Sequence, residues 1–361
     1  MPVDLVPLPC TKNLSMAIVD MEKNNNLGEV VLRKKIIIED SLEFGKLTAT
    51  KHANGRDWWL ITQKNHKNLY YKVLLTPQGA TIHDKQIIGN DFFPSAGQTV
   101  FSPDGKYYIN FDIDNDSISP NTMIFDFDRC TGQLSNTRTI NYPNMGNWSG
   151  GIAVSPNSHF LYVSLFNKLY QYDLRAKDIL TSEKIVGEYD GFVYDSVFKT
   201  RFHTCQLAPN GKIYIRSSGA APYMHVINHP DLEGKACNFV QRGLKLPFVN
   251  TFSVPNHPNY RLGVLKGSPC DTLNKIATQD IDNQSTIKIY PNPAQDILNV
   301  QFSEQTTASI VLRSTEGKEL RKINTNSDTQ LDISDLYNGL IFVEIWIENR
   351  RVATKKVVIM N

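Results

Sequence analysis

The sequence predicts an all-β protein in two parts, a series of about five four-stranded antiparallel sheets followed by a small C-terminal β-sandwich. Three observations predict it. Segments carrying a Pro-Asp-Gly or Pro-Asn turn recur at a spacing of about fifty residues. Between them lies a second family of strand pairs, and the last stretch, about 75 residues, alternates in short strands around Pro-Asn-Pro and Asn-Gly turns. With 10% aromatics, 21 glycines and 18 prolines, the composition suits short strands joined by turns better than a helix bundle.

Three copies of the first repeat align without gaps: TVFSPDGKYYINFD from Thr99, IAVSPNSHFLYVSL from Ile152 and CQLAPNGKIYIRSS from Cys205. Their prolines, Pro103, Pro156 and Pro209, lie 53 residues apart. Each copy reads as an apolar strand, a tight turn and an alternating aromatic-aliphatic strand, the pattern of a hairpin. A less regular copy, LTATKHANGRDWWLIT, places Asn54-Gly55 fifty residues before Asp104-Gly105, and a degenerate one, TFSVPNHPNYRLGV, begins at Thr251. Four inner turns are therefore expected, at Asn54-Gly55, Asp104-Gly105, Asn157-Ser158 and Asn210-Gly211.

The second family comprises strand pairs starting near Ser15, Asn68, Thr122 and Lys168. Alternating with the inner hairpins, they give four strands in about fifty residues, the size of one propeller blade. From Ser102-Pro103-Asp104-Gly105 the repeat resembles the WD-like and YVTN-like propellers, over roughly residues 13 to 270. That resemblance implies a fold and is nearly silent on activity. The first outer hairpin, Ser15 to Ile38, has no inner hairpin before it, so the natural chain is expected to continue upstream with a signal peptide and further strands. The expected division is residues 1–270 as a partial β-propeller, 271–284 as a polar linker and 285–361 as the sandwich.

In the last part, Ile287 and Ile289 alternate, Pro291-Asn292-Pro293 forces a turn, and Leu298, Val300 and Phe302 alternate again. A hairpin turn follows at Glu316-Gly317 and a tight one at Asn338-Gly339. This module resembles the type A C-terminal sorting domain of the type IX secretion system. The family's pattern appears as Tyr290, Pro291, Asn292 and Pro293, then Gly317-Lys318, then Leu336 to Phe342 with Asn338 and Gly339, and the Lys355-Lys356 strand ending at Met360. The resemblance implies passage through the type IX translocon and its sorting machinery, removal of the module, and a secreted or surface-attached product, often lipopolysaccharide-bound.

Charge and cysteines narrow the partners. The 38 basic and 36 acidic side chains nearly cancel, so no long-range field recruits nucleic acid or an anionic membrane. No apolar run is long enough for a transmembrane helix, and the opening residues do not form a signal peptide. The five cysteines include no C-x-x-C pair, which argues against a zinc site. For an exported chain, Cys237 and Cys270 flank the end of the large part and are placed to clip it.

Two sets of residues are candidates for chemistry. Asp112, Asp114 and Asp116 form a D-x-D-x-D run whose oxygens suit a calcium loop, although Ser117 and Met123 at the sixth and twelfth positions exclude an EF-hand. Aligning the repeats puts Ser95, Trp148 and Arg201 at one equivalent position and Gly97, Gly150 and His203 at another, each just before an innermost strand. Trp148, Arg201 and His203 are therefore expected at the mouth of the propeller, where ligands commonly bind. No nucleophile-elbow, zincin or P-loop motif occurs. The leading reading is a binding or scaffolding protein for an extracellular glycan or protein, and the alternative is a lactonase-like or glycan-acting hydrolase.

Overall fold

The computed structural model describes residues 10–114, 120–143, 150–251, 254, 256–271, 287–315, 317–348 and 350–360. The chain divides into two compact units, Met1–Leu273 and Asn274–Asn361.

The first unit opens with a hairpin of β1 (Thr11–Asp20) and β2 (Glu29–Leu42). Four meanders follow. The first sheet contains β3 (Thr48–Lys51), β4 (Trp58–Gln63), β5 (Leu69–Thr76) and β6 (Gly79–Ile87). The second contains β7 (Phe92–Phe101), β8 (Tyr107–Asp114), β9 (Pro120–Phe127) and β10 (Leu134–Asn141). The third contains β11 (Gly151–Val154), β12 (Phe160–Leu165), β13 (Lys168–Asp173) and β14 (Lys184–Glu188). A short hairpin of β15 (Val193–Tyr194) and β16 (Phe198–Lys199) leads to the fourth, β17 (Phe202–Leu207), β18 (Ile213–Ser217), β19 (Ala221–Ile227) and β20 (Phe239–Asn250).

All four expected inner turns are present. Each closes with a backbone bond between first and fourth residues: Gly55 N to His52 O (2.9 Å), Gly105 N to Ser102 O (2.8 Å), Ser158 N to Ser155 O (2.9 Å) and Gly211 N to Ala208 O (3.0 Å). The fourth residue has φ of +74, +73, +57 and +79° in turn, which explains why glycine recurs there. The recurring serine has its own role. Ser102 Oγ accepts from Tyr107 N (2.9 Å) and donates to Asp104 Oδ1 (2.6 Å), and Ser155 Oγ accepts from Phe160 N (2.8 Å) and donates to Asn157 Oδ1 (2.7 Å).

Alternation along the second strand of the second and third sheets feeds two cores. On β8, Tyr108 packs with Trp59, Ile61 and Tyr70 of the first sheet, whereas Ile109 and Phe111 pack with Ile152, Leu161 and Val163 of the third. On β12, Leu161, Val163 and Leu165 face the second sheet, whereas Phe160 and Tyr162 join Phe202, Ile213 and Ile215 of the fourth. A strand buried on both faces favours apolar residues, and in FLYVSL the small Ser164 is the exception, its hydroxyl bonded to the backbone of the fourth sheet. Sheets stacked face to face with their first strands innermost form the partial propeller.

The degenerate copy at Thr251 does not form a hairpin among its described residues. Pro258 lacks an N–H for a ladder, and the chain bonds instead to earlier sheets. Asn256 Nδ2 reaches Leu47 O (3.3 Å), Asn259 Nδ2 reaches Pro103 O (2.9 Å), and Leu265 N reaches Ala53 O (2.8 Å). Residues 256–271 are thus a strap over the turn end, with Tyr260 edge-on to Trp58. A disulfide between Cys130 and Cys270 (Cα–Cα 5.5 Å) fastens it. The expected Cys237–Cys270 clip is therefore incorrect, because Cys237 is a free thiol buried against the third sheet's core.

The second unit has two sheets over one core. One contains β21 (Lys288–Tyr290), β22 (Ile297–Gln301) and β25 (Thr329–Asp332), and the other β23 (Ala308–Arg313), β24 (Glu319–Thr325), β26 (Gly339–Ile347) and β27 (Arg350–Ile359). Ile289, Leu298, Val300 and Leu331 from the first meet Ile310, Leu312, Val343, Ile345 and Val357 from the second.

Candidate functional site

The innermost strands approach so closely that side chains are excluded at several points. A Cβ on Gly97 would lie 2.1 Å from both Lys46 Nζ and Phe111 O, and one on Gly150 would lie 2.2 Å from Ser164 O. Gln98 links three strands: its amide oxygen accepts from Ile152 N (3.1 Å) and Cys205 N (3.2 Å), and its amide nitrogen donates to Cys205 O (2.6 Å). Only a cavity of about 60 Å³ separates the four first strands from Asn256–Asn259 of the strap.

The fourth sheet departs from this pattern. Where the second and third copies have glycine, β17 carries His203, and a bulge against β18 between Phe202 and Cys205 makes room for it. Gly151 accommodates the bulge, since a Cβ there would lie 2.4 Å from Thr204 Cα. Ser164 Oγ donates to His203 O. His203 and Arg201 share the Phe166 ring, with centroid distances of 6.2 Å for the imidazole and 5.6 Å for the guanidinium. Arg201 also lies 5.9 Å from the Tyr189 ring. The structure therefore brings Arg201 and His203 together, while Trp148 lies outside the described residues.

Sequence reasoning overlooked Arg216. It is 4% exposed on β18, and its Nη1 donates to Ser217 O (3.0 Å) and Thr251 O (2.7 Å). Its equivalents are Asn110 and Val163, both fully buried, so a charged residue at a core position of the repeat was the available signal.

Burial and the nearby Arg216 charge push the His203 pKa down to about 3, and burial beside Arg242 pushes His225 down to about 4. Both values lie below the usual 6.5, so the unfolded chain takes up protons first as pH falls and the native state loses stability from about pH 6.5 down to about 4 for His225 and about 3 for His203. At pH 5 the loss is about 2 kcal/mol per histidine. Urea denaturation at pH 7.5 and 5 should show it, and His203→Gln with His225→Gln should flatten the profile. Equal stability at both pH values would contradict this assignment.

Of the acidic run, Asp112 is held in a buried ion pair. Asp112 Oδ2 lies 3.1 Å from Lys46 Nζ with both side chains fully buried, and Lys46 also donates to Asn110 Oδ1 (2.9 Å). Asp114 ends β8, and Asp116 is outside the described residues. Among the described residues, no three His, Cys, Asp or Glu side chains gather closely enough to share a metal ion.

In the second unit the start and end motifs meet. Asn292 Oδ1 accepts from Val358 N (2.9 Å), Asn292 Nδ2 donates to Lys356 O (3.0 Å), and Ala294 N donates to Val358 O (2.8 Å). The Tyr290-Pro291-Asn292-Pro293 segment thus clasps the last strand, leaving Lys355 and Lys356 exposed. Gly317 closes its turn on Ser314 O (3.0 Å) at φ +83°, and Leu336 packs at the core's edge. Gly339 has φ +145° and pairs with Ile359, next to Tyr337, which is 95% exposed.

Four meanders stacked face on face through shared cores define the large unit as a β-propeller-type domain. The small unit has a specific kinship: residues 288–360 match the secretion system C-terminal sorting domain. The protein accordingly carries a type IX sorting tail and is exported, to the cell surface or beyond. No helix among the described residues is long and apolar enough to cross a membrane.

No curated protein matches the chain. Among solved structures, a Lactobacillus plantarum protein is similar at 12% identity, over 89% of this chain and 82% of its own, with a TM-score of 0.40. A putative TolB from Agrobacterium tumefaciens is similar at 12% identity, over 90% and 83% of the two chains, with a TM-score of 0.38. A putative 6-phosphogluconolactonase from Bacteroides fragilis is similar at 9% identity, over 96% and 98%, also with a TM-score of 0.38.

Proposed function

We propose that this is an exported binding protein whose large unit recognises an extracellular glycan or protein at the end where the innermost strands begin. The observation that carries the reading is the difference between the two ends. The turn end is strapped by residues 256–271, whereas the opposite end gathers Arg201, His203, Phe166 and Tyr189 around the bulge in β17. Half-buried cationic and aromatic groups beside one another provide orientation and contact area together.

The test is a binding screen of the full chain against immobilised extracellular glycans and peptides, repeated with Arg201→Ala/His203→Ala and with Tyr260→Ala in the strap. The first variant should lose binding at least tenfold and the second should not. Binding lost only in the Tyr260 variant would move the site to the strapped end.

A further inference from the structure

We propose that Arg216 and Arg201, flanking His203, form a carboxylate-binding site where the start of β17 meets the end of β18. This rests on the reading of that end as the binding face and adds the chemistry of the ligand.

A guanidinium stays protonated at every physiological pH, so burying it without a counter-charge is costly. Elsewhere in this chain the buried cations have partners: Lys46 pairs with Asp112 (3.1 Å) and Lys72 with Asp84 (3.0 Å). Arg129, also 4% exposed, spreads its charge over the carbonyls of Lys51 (2.8 Å), His52 (3.2 Å) and Gly263 (2.5 Å). Arg216 is different. Among the described residues it commits only Nη1, and its Nε is buried with no hydrogen bond. Among the described residues no carboxylate lies within salt-bridge distance of Arg216 or Arg201, and Arg201 Nε is likewise buried without a hydrogen bond.

Geometry selects the ligand head. With Nη1 occupied, Arg216 retains the Nε–Nη2 edge, whose two parallel N–H groups match the two oxygens of a planar carboxylate. Arg201 supplies a second cation, and its rings, Phe166 and Tyr189, wall the site with apolar surface that strengthens the attraction by excluding water. Neither of the equivalent positions in the repeat, Asn110 and Val163, offers a cation, so the site belongs to the fourth sheet alone.

Calorimetric titration of the full chain with sodium galacturonate, with galactose and sulfate at matched ionic strength as comparisons, tests the proposal. Galacturonate should bind at least tenfold more tightly than either, and Arg216→Gln and Arg201→Gln should each weaken it at least tenfold. Arg201→Gln is decisive if the Arg216 variant does not fold, because Arg201 is only partly buried. Undetectable galacturonate binding, equal binding of sulfate, or unchanged binding by folded Arg201→Gln would overturn the carboxylate site. A neutral ligand whose binding depends on Arg201 and His203 would leave the binding face standing while removing this chemistry.

Discussion

Deleting residues 285–361 should leave the large unit folded and trap it in the periplasm of its native host. Every member of the tail core, from Ile289 to Ile359, belongs to the tail itself, and the four cores of the large unit draw only on residues up to Cys237 and its neighbours. The deletion therefore removes no buried partner from the propeller, and its thermal midpoint should hardly move. Export should fall to background, and the tail fused behind a signal peptide and a neutral reporter should carry that reporter outside. A single substitution should approach the same result. Gly339 sits at φ +145° opposite Ile359, so Gly339→Val strains the first pair of the β26–β27 ladder, at a cost above about 1 kcal/mol, and loosens the strand that Asn292 clasps. Normal surface levels of the truncated protein would refute the role given to the tail.

What the sequence disclosed, and what it withheld, follows from the range of the forces involved. The inner turns were legible because Pro-Asp-Gly chemistry is local: a positive φ at Gly105 and a serine bond to Tyr107 N are decided within six residues. The same locality explains the misread copy at Thr251, whose apolar pattern looks like a strand although its polar groups bond to Leu47 and Pro103, far away in the chain. That Arg201 and His203 lie side by side could be anticipated because a strict 53-residue register lets one copy be compared with another. Arg216 stood in the same alignment and was passed over, since one charged residue in IYIRSS looks like a solvent-facing position until burial is known. Cysteine pairing was illegible for a plainer reason: Cys130 and Cys270 are 140 residues apart and meet only because the strap crosses back.

That crossing sets up the second large effect. Cys130→Ala, Cys270→Ala or full reduction should lower the unfolding free energy of the large unit by about 2–5 kcal/mol, because the disulfide closes a very long loop and restricts the unfolded chain. In a unit of this size that is a fall in Tm of roughly 5–15 °C. The loss should also be local. The strap lies in no strand, and its hold on the sheets comes from a few contacts: Leu265 on Ala53, Gly263 on Arg129, Asn259 on Pro103 and Tyr260 on Trp58. Freed of its covalent end, it should exchange amide hydrogens at Leu262 and Leu265 much faster, while β12, buried on both faces, remains protected. Arg129 would then lose its carbonyl at Gly263 and keep those of Lys51 and His52, so the first two sheets would loosen at their turns before the third and fourth. A disulfide of this kind suits an exported chain, which matures where thiols oxidise. Equal Tm values with and without reductant, together with unchanged exchange at Leu265, would show that the strap holds without its disulfide.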